Sequence, residues 1–61
     1  MSSVDELAVG DWVTVDLSPT HCQDGEIVFV VPAEGGGVWE YDVRVRGGDV
    51  IAAQPSHVRK R

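Results

Sequence analysis

Two adjacent residues, His21 and Cys22, form the most reactive pair in the chain, and His57 is the only other imidazole. Imidazole and thiolate are ligands that zinc binds, so His21, Cys22 and His57 are the conceivable metal ligands. A zinc site needs four ligands, or three and a water, and neighbours on an extended segment point apart rather than at one ion. The chain has no C-x-x-C or H-x-x-x-H spacing, and Cys22 is its single cysteine. No metal site is therefore expected; Cys22 reads as a small buried or half-buried loop residue and His57 as a surface residue on a turn. The run Gly35-Gly36-Gly37 lacks the following helix, lysine and hydroxyl of a phosphate-binding loop. It reads as a flexible hairpin tip, and neither a cofactor nor a catalytic constellation is expected.

Recognition chemistry has better candidates. The aromatics are Trp12, Phe29, Trp39 and Tyr41. Trp12 lies opposite the apolar face of its strand, so it is expected to be exposed, where an aromatic anchors a partner. Beside it in kind stand Asp16 and the alternating stripe Glu40, Asp42, Arg44 and Arg46, which orients a partner through charge. These six residues are the expected partner-binding set. The net charge of −5 conceals a split: residues 1–40 hold eight acids and no Lys or Arg, while residues 41–61 hold five bases and two acids. An acidic surface argues against general binding to nucleic acid or an anionic membrane. Any nucleic-acid contact is expected to be weak and to fall to Arg59, Lys60 and Arg61, which otherwise form a solvated tail.

The elements that must position these residues are short. Ser2 to Leu7 has no strand pattern, and residues 1–7 read as a flexible arm before a single domain spanning 8–61. From Asp11 the period is two, with Val13, Val15 and Leu17 on one face and Trp12, Thr14 and Asp16 on the other. Ser18-Pro19-Thr20 ends that strand and opens a long loop closed by a turn at Asp24-Gly25. Glu26 to Val31 is apolar on both faces after Glu26 and reads as a central strand that Pro32 stops. Trp39, Tyr41, Val43 and Val45 then share a dry face against Glu40, Asp42, Arg44 and Arg46. Gly47-Gly48 turns the chain into Val50–Ala53, and Gln54 to His57 reads as one 3₁₀ turn before a final strand at Val58. The longest apolar run, Ile27 to Ala33, is far too short to cross a bilayer.

Sixty-one residues make one domain at most, and a domain of this size buries only about 60% of the surface its unfolded chain exposes. The single cysteine and the lack of a signal-length apolar segment point to the cytoplasm. Five short strands with exposed edges are best managed by curling, so the expected fold is all-β: a five-stranded antiparallel barrel with a short 3₁₀ turn before the last strand.

The stretches "VGDWVTV", "GEIV", "YDVRV" and "VIAAQPSHVRKR" together resemble the SH3-like barrel layout of KOW and Tudor-type modules and of small accessory subunits of redox complexes. "GDWVTVDLSPT" is similar to the opening of the MazF/PemK toxin ribonucleases, whose next loop carries basic residues that act on RNA; here His21 to Glu26 holds no Lys or Arg. The length, the Gly-Asp start and the Gly-x-Ile-Val and Tyr-x-Val strands also resemble the type II plasmid dihydrofolate reductase, a tetramer with its active site in a central pore. Where that family has Val-Gln-Ile-Tyr, this chain has Val50-Ile51-Ala52-Ala53, and it places Asp16 near the position of that family's lysines. The functional residues of both families are absent. The expected function is a non-catalytic interaction module or accessory subunit that binds a protein partner or copies of itself, with an oligomeric reductase or a KOW-type nucleic-acid module as the alternatives.

Overall fold

The computed structural model describes residues 7–61. Its elements are β1 (Trp12–Ser18), β2 (His21–Pro32), β3 (Val38–Val45), β4 (Val50–Ala53), a 3₁₀ turn over Pro55–His57, and β5 (Val58–Lys60). All pairings are antiparallel, in the order β4-β3-β2-β1-β5. The five antiparallel strands and the 3₁₀ turn agree with the expectation from sequence. The sheet does not close by hydrogen bonding, however; β4 and β5 are its edges.

Those edges are nonetheless drawn together. In a flat sheet they would lie about 19 Å apart, whereas the five steps from Ala53 to Val58 span at most about 17 Å when fully extended, and less with a 3₁₀ turn among them. The sheet must therefore curl, and the turn packs across β3 and β1. The concave side holds the core: Leu7, Val13, Val15, Ile27, Tyr41, Val43, Val45, Ala53 and Val58, with Val30, Val38 and Ile51 packed against it. The arm expected over residues 1–7 falls outside the described residues except for Leu7, which belongs to this core.

The expected long first loop is a two-residue turn. Ser18 pairs with His21 across Pro19-Thr20, and β2 begins at once, with Cys22, Gln23 and Asp24 paired to Asp16, Val15 and Thr14. Its length reflects a change of partner: the first half of β2 pairs with β1 and the second half with β3, overlapping at Gly25 and Glu26. Gly25 is thus a mid-strand residue and not the turn glycine expected from Asp24-Gly25. A Cβ there would lie 2.6 Å from the Arg44 carbonyl oxygen and 2.6 Å from Val43 Cγ1. The glycine is required by close approach of β3, not by turn geometry. At the β3–β4 connection the turn reading does hold, since Gly47 and Gly48 have φ of 97° and 96°, open only to residues without a Cβ penalty.

Three β-bulges explain every side chain that the alternation misplaces. Each inserts one residue and reverses the inward and outward parity beyond it. Leu17 is the extra residue of β1, between Asp16 and Ser18. It was expected on the core face and is exposed. Pro19 and Thr20 both have negative φ, so their turn is not of the primed kind that suits strand twist, and the adjacent bulge absorbs the mismatch. Val28 is the extra residue of β2, between Ile27 and Phe29; it leaves Ile27 inward and turns Phe29 outward opposite Asp42. Trp39 is the extra residue of β3, since Val31 pairs with Glu40 and Pro32 with Val38. Trp39 was expected beside Tyr41 in the core and is instead exposed. Among the described residues no helix is long and apolar enough to cross a membrane.

Candidate functional site

The convex face of the sheet carries the polar strand residues in rows fixed by register, because directly opposed residues of an antiparallel pair share a face. One row runs Val50, Arg44, Glu26, Trp12 from β4 to β1. The row towards the β2–β3 turn holds Ala52, Asp42 and Phe29, followed by Glu40 beside Val31. In the opposite direction lie Asp24, Thr14 and Arg59, then Cys22 beside Asp16. Arg46 leaves β3 at that same end. All six residues expected in the partner-binding set, Trp12, Asp16, Glu40, Asp42, Arg44 and Arg46, belong to this side.

Ion pairs lace the face together. Arg59 donates from Nε and Nη2 to the two carboxylate oxygens of Asp16, both at 2.9 Å, a bidentate contact that ties edge strand β5 to β1. Arg61 pairs with Asp24, whose other oxygen accepts from Thr14 Oγ1 at 2.8 Å. The Arg61 backbone N–H also donates to the Trp12 carbonyl at 3.2 Å, prolonging the β5 ladder. Arg44 lies 3.5 Å from Glu26. The C-terminal bases therefore do not form a solvated tail as a group: Arg59 and Arg61 are held by acids on neighbouring strands. Among the described residues, Glu40, Asp42, Arg46 and Lys60 have no ion-pair partner.

The Arg59 hydrogen bonds hold the Asp16 carboxyl below the ordinary carboxylate range, and Asp16 in turn raises Arg59. For an acid whose folded pKa is depressed, the stabilisation is complete above the unfolded value of about 4 and disappears as pH falls through the lower folded value. A carboxyl NMR titration is expected to place the Asp16 midpoint below the ordinary range and to return it there in Arg59→Gln. Unchanged titration in that variant would mean that the pair does not form in solution.

The aromatic content of the face was only partly legible. Trp12 is 57% exposed, Phe29 55% and Trp39 66%; Tyr41 alone is buried. Trp12 lines an open hollow with Asp24, Arg46 and Arg61, and Trp39 lines another with Pro32, Ala33 and Glu34. Trp39 escaped the sequence reading because parity put it inward beside Tyr41, and Phe29 because its strand is apolar on both faces and has no period to assign it. The usable signal was their closeness to Pro32 and the glycine run, where strands end and bulges gather.

His21 and Cys22 stand next to each other on an extended strand and so project to opposite faces; Cys22, expected half-buried or buried in a loop, is instead an exposed strand residue, because β2 begins directly after the Pro19-Thr20 turn. His57 sits on the 3₁₀ turn beside a hollow lined by Asp16, Leu17, Ser18 and Pro19. Among the described residues no three His, Cys, Asp or Glu side chains gather as a metal site would need. The described residues include no buried charged side chain either, so the chemistry of the convex face is that of exposed aromatics among oriented charges. Compared with known proteins, the chain matches no family model, no curated protein and no solved structure.

Proposed function

We propose that this protein is a non-catalytic interaction module of SH3-like architecture that binds a protein partner or another copy of itself through the convex face of its sheet. The observation that carries this reading is the placement of the aromatics. Three of the four are more than half exposed, while the core is built from aliphatic residues and Tyr41. Burying large aromatics stabilises a small domain, and leaving them outside forgoes that gain. Aromatics outside the core are the residues that dominate binding energy when a partner covers them. The SH3-like part of the reading is supported by the order β4-β3-β2-β1-β5, by the long β2 shared between two partners, and by the 3₁₀ turn ahead of β5. A nucleic-acid role draws less support, because Arg59 and Arg61 are engaged by Asp16 and Asp24.

The test is site-specific photocrosslinking in the cells that make the protein. A benzophenone side chain placed at Trp12 or Phe29 is expected to give one discrete covalent adduct. The same group at Ser56, on the 3₁₀ turn, is expected to give none. Equal labelling from all three positions, or no adduct from any, would defeat the proposal.

A further inference from the structure

We infer that the occupant of the convex face is a second copy of this chain, packed face to face about a two-fold axis, an inference that rests on the interaction reading above. The charges left over after intramolecular pairing carry it. Arg44, Arg59 and Arg61 are matched to Glu26, Asp16 and Asp24. Among the described residues, what remains on the face is Asp42 and Glu40 towards the β2–β3 turn and Arg46 at the other end of β3. Asp42 and Arg46 are four residues apart on the same side of one strand and its extension, about 13 Å. Opposite charges separated along one line are complementary to the same line reversed.

A two-fold axis lying between two such sheets, and crossing the strands at the row of Trp12, Glu26 and Arg44, performs that reversal. It sets Asp42 of each copy over Arg46 of the other, which makes both contacts equivalent, as an isologous interface requires. It also brings the two Trp12 side chains together at the axis, flanked by Phe29 from each copy, and sets each Glu26–Arg44 ion pair, neutral as a whole, over its own symmetry mate. Sheets packed this way keep their strands within about 30° of alignment and lie about 10 Å apart, a gap that side chains of this size fill.

The contact area limits the strength. Because the sheet curls, contact is confined to the strands nearest the axis, and the width from β1 to β3 by three rows gives a projected face of about 200 Å² per copy, roughly a quarter of what a standard interface contributes per partner. The dimer is therefore expected to be weak and reversible. The net charge of −5 per copy opposes approach at long range, and physiological salt screens that repulsion beyond about 8 Å while leaving close pairs.

The test is sedimentation equilibrium of the full chain at physiological salt, from about 10 μM to 1 mM, a range set to bracket the expected weak association. The average mass of the wild type is expected to rise from 6.6 kDa towards twice that value. D42R and R46D each place like charges at both symmetric contacts and are expected to weaken association at least about tenfold. An equimolar mixture of the two variants restores both contacts and is expected to recover the lost association as a heterodimer. A structural role for either residue would not produce that recovery, and the mixture reads out even if one variant is somewhat less stable. A wild type that stays monomeric at 1 mM, or a mixture no tighter than its components, overturns the second copy. If Trp12 still crosslinks to a different protein in that case, the interaction reading survives; if it crosslinks to nothing, both fall.

Discussion

Gly25→Ala is expected to lower stability by about 2–3 kcal/mol, a large loss from one methyl group. The added carbon would meet the Arg44 carbonyl oxygen and Val43 Cγ1, each at 2.6 Å. A rotamer change could move the valine methyl, but the carbonyl belongs to the β3 backbone, which is hydrogen-bonded to β2 on one side and β4 on the other. Relief therefore requires separating two central strands at the point where β2 changes partners. A domain of this length has only about 3–5 kcal/mol to lose, so the substitution is expected to lower Tm by about 10–20 °C. Thermal unfolding followed by circular dichroism measures it. A change below about 2 °C would mean that β3 does not approach β2 as closely as described, given the steepness of Tm with stability in small domains.

The second large effect is Ile27→Ala, expected to cost about 2–5 kcal/mol. Ile27 is fully buried at the centre of the sheet, opposite Val43, and is the largest of the completely enclosed side chains. Phe29→Ala, two positions along the same strand, removes more atoms and is expected to change stability by no more than about 0.5 kcal/mol. Urea unfolding of the two variants makes the comparison. Equal losses would place Phe29 in the core and remove the Val28 bulge from the account. The contrast matters for function too, because a residue that can be deleted without harm to the fold is free to serve a partner.

These two residues show how far the sequence could be read. Ile27 and Phe29 share parity in an apolar run, and nothing local separates them. Trp39 likewise shares parity with Tyr41, Val43 and Val45. The strands themselves were legible wherever alternation was sharp, as in Val13 and Val15 or Val43 and Val45, and the 3₁₀ turn was legible from Pro55. His21 to Asp24 was not, because a strand with polar residues on both faces has no period to detect. Its pairing is held by backbone bonds to β1 and by the contact from Thr14 to Asp24. Five of the six residues in the expected partner-binding set are exposed or half-buried charges, visible from the β1 and β3 alternation. The partners of Asp16 and Arg44 were not visible, since Arg59 lies 43 residues from the one and Glu26 lies 18 from the other.

By itself, the sequence determined an all-β chain of five short strands, the Gly47-Gly48 turn, the 3₁₀ turn, inward positions at Val13, Val15, Val43 and Val45, and a charged outer face. Those properties follow from residue type and a period of two, which are local. Only the tertiary structure decided which aromatics stand outside and which charges are already satisfied. A bulge is a property of two strands in register, and an ion pair across strands depends on which residues that register brings abreast, so neither is written in either strand alone.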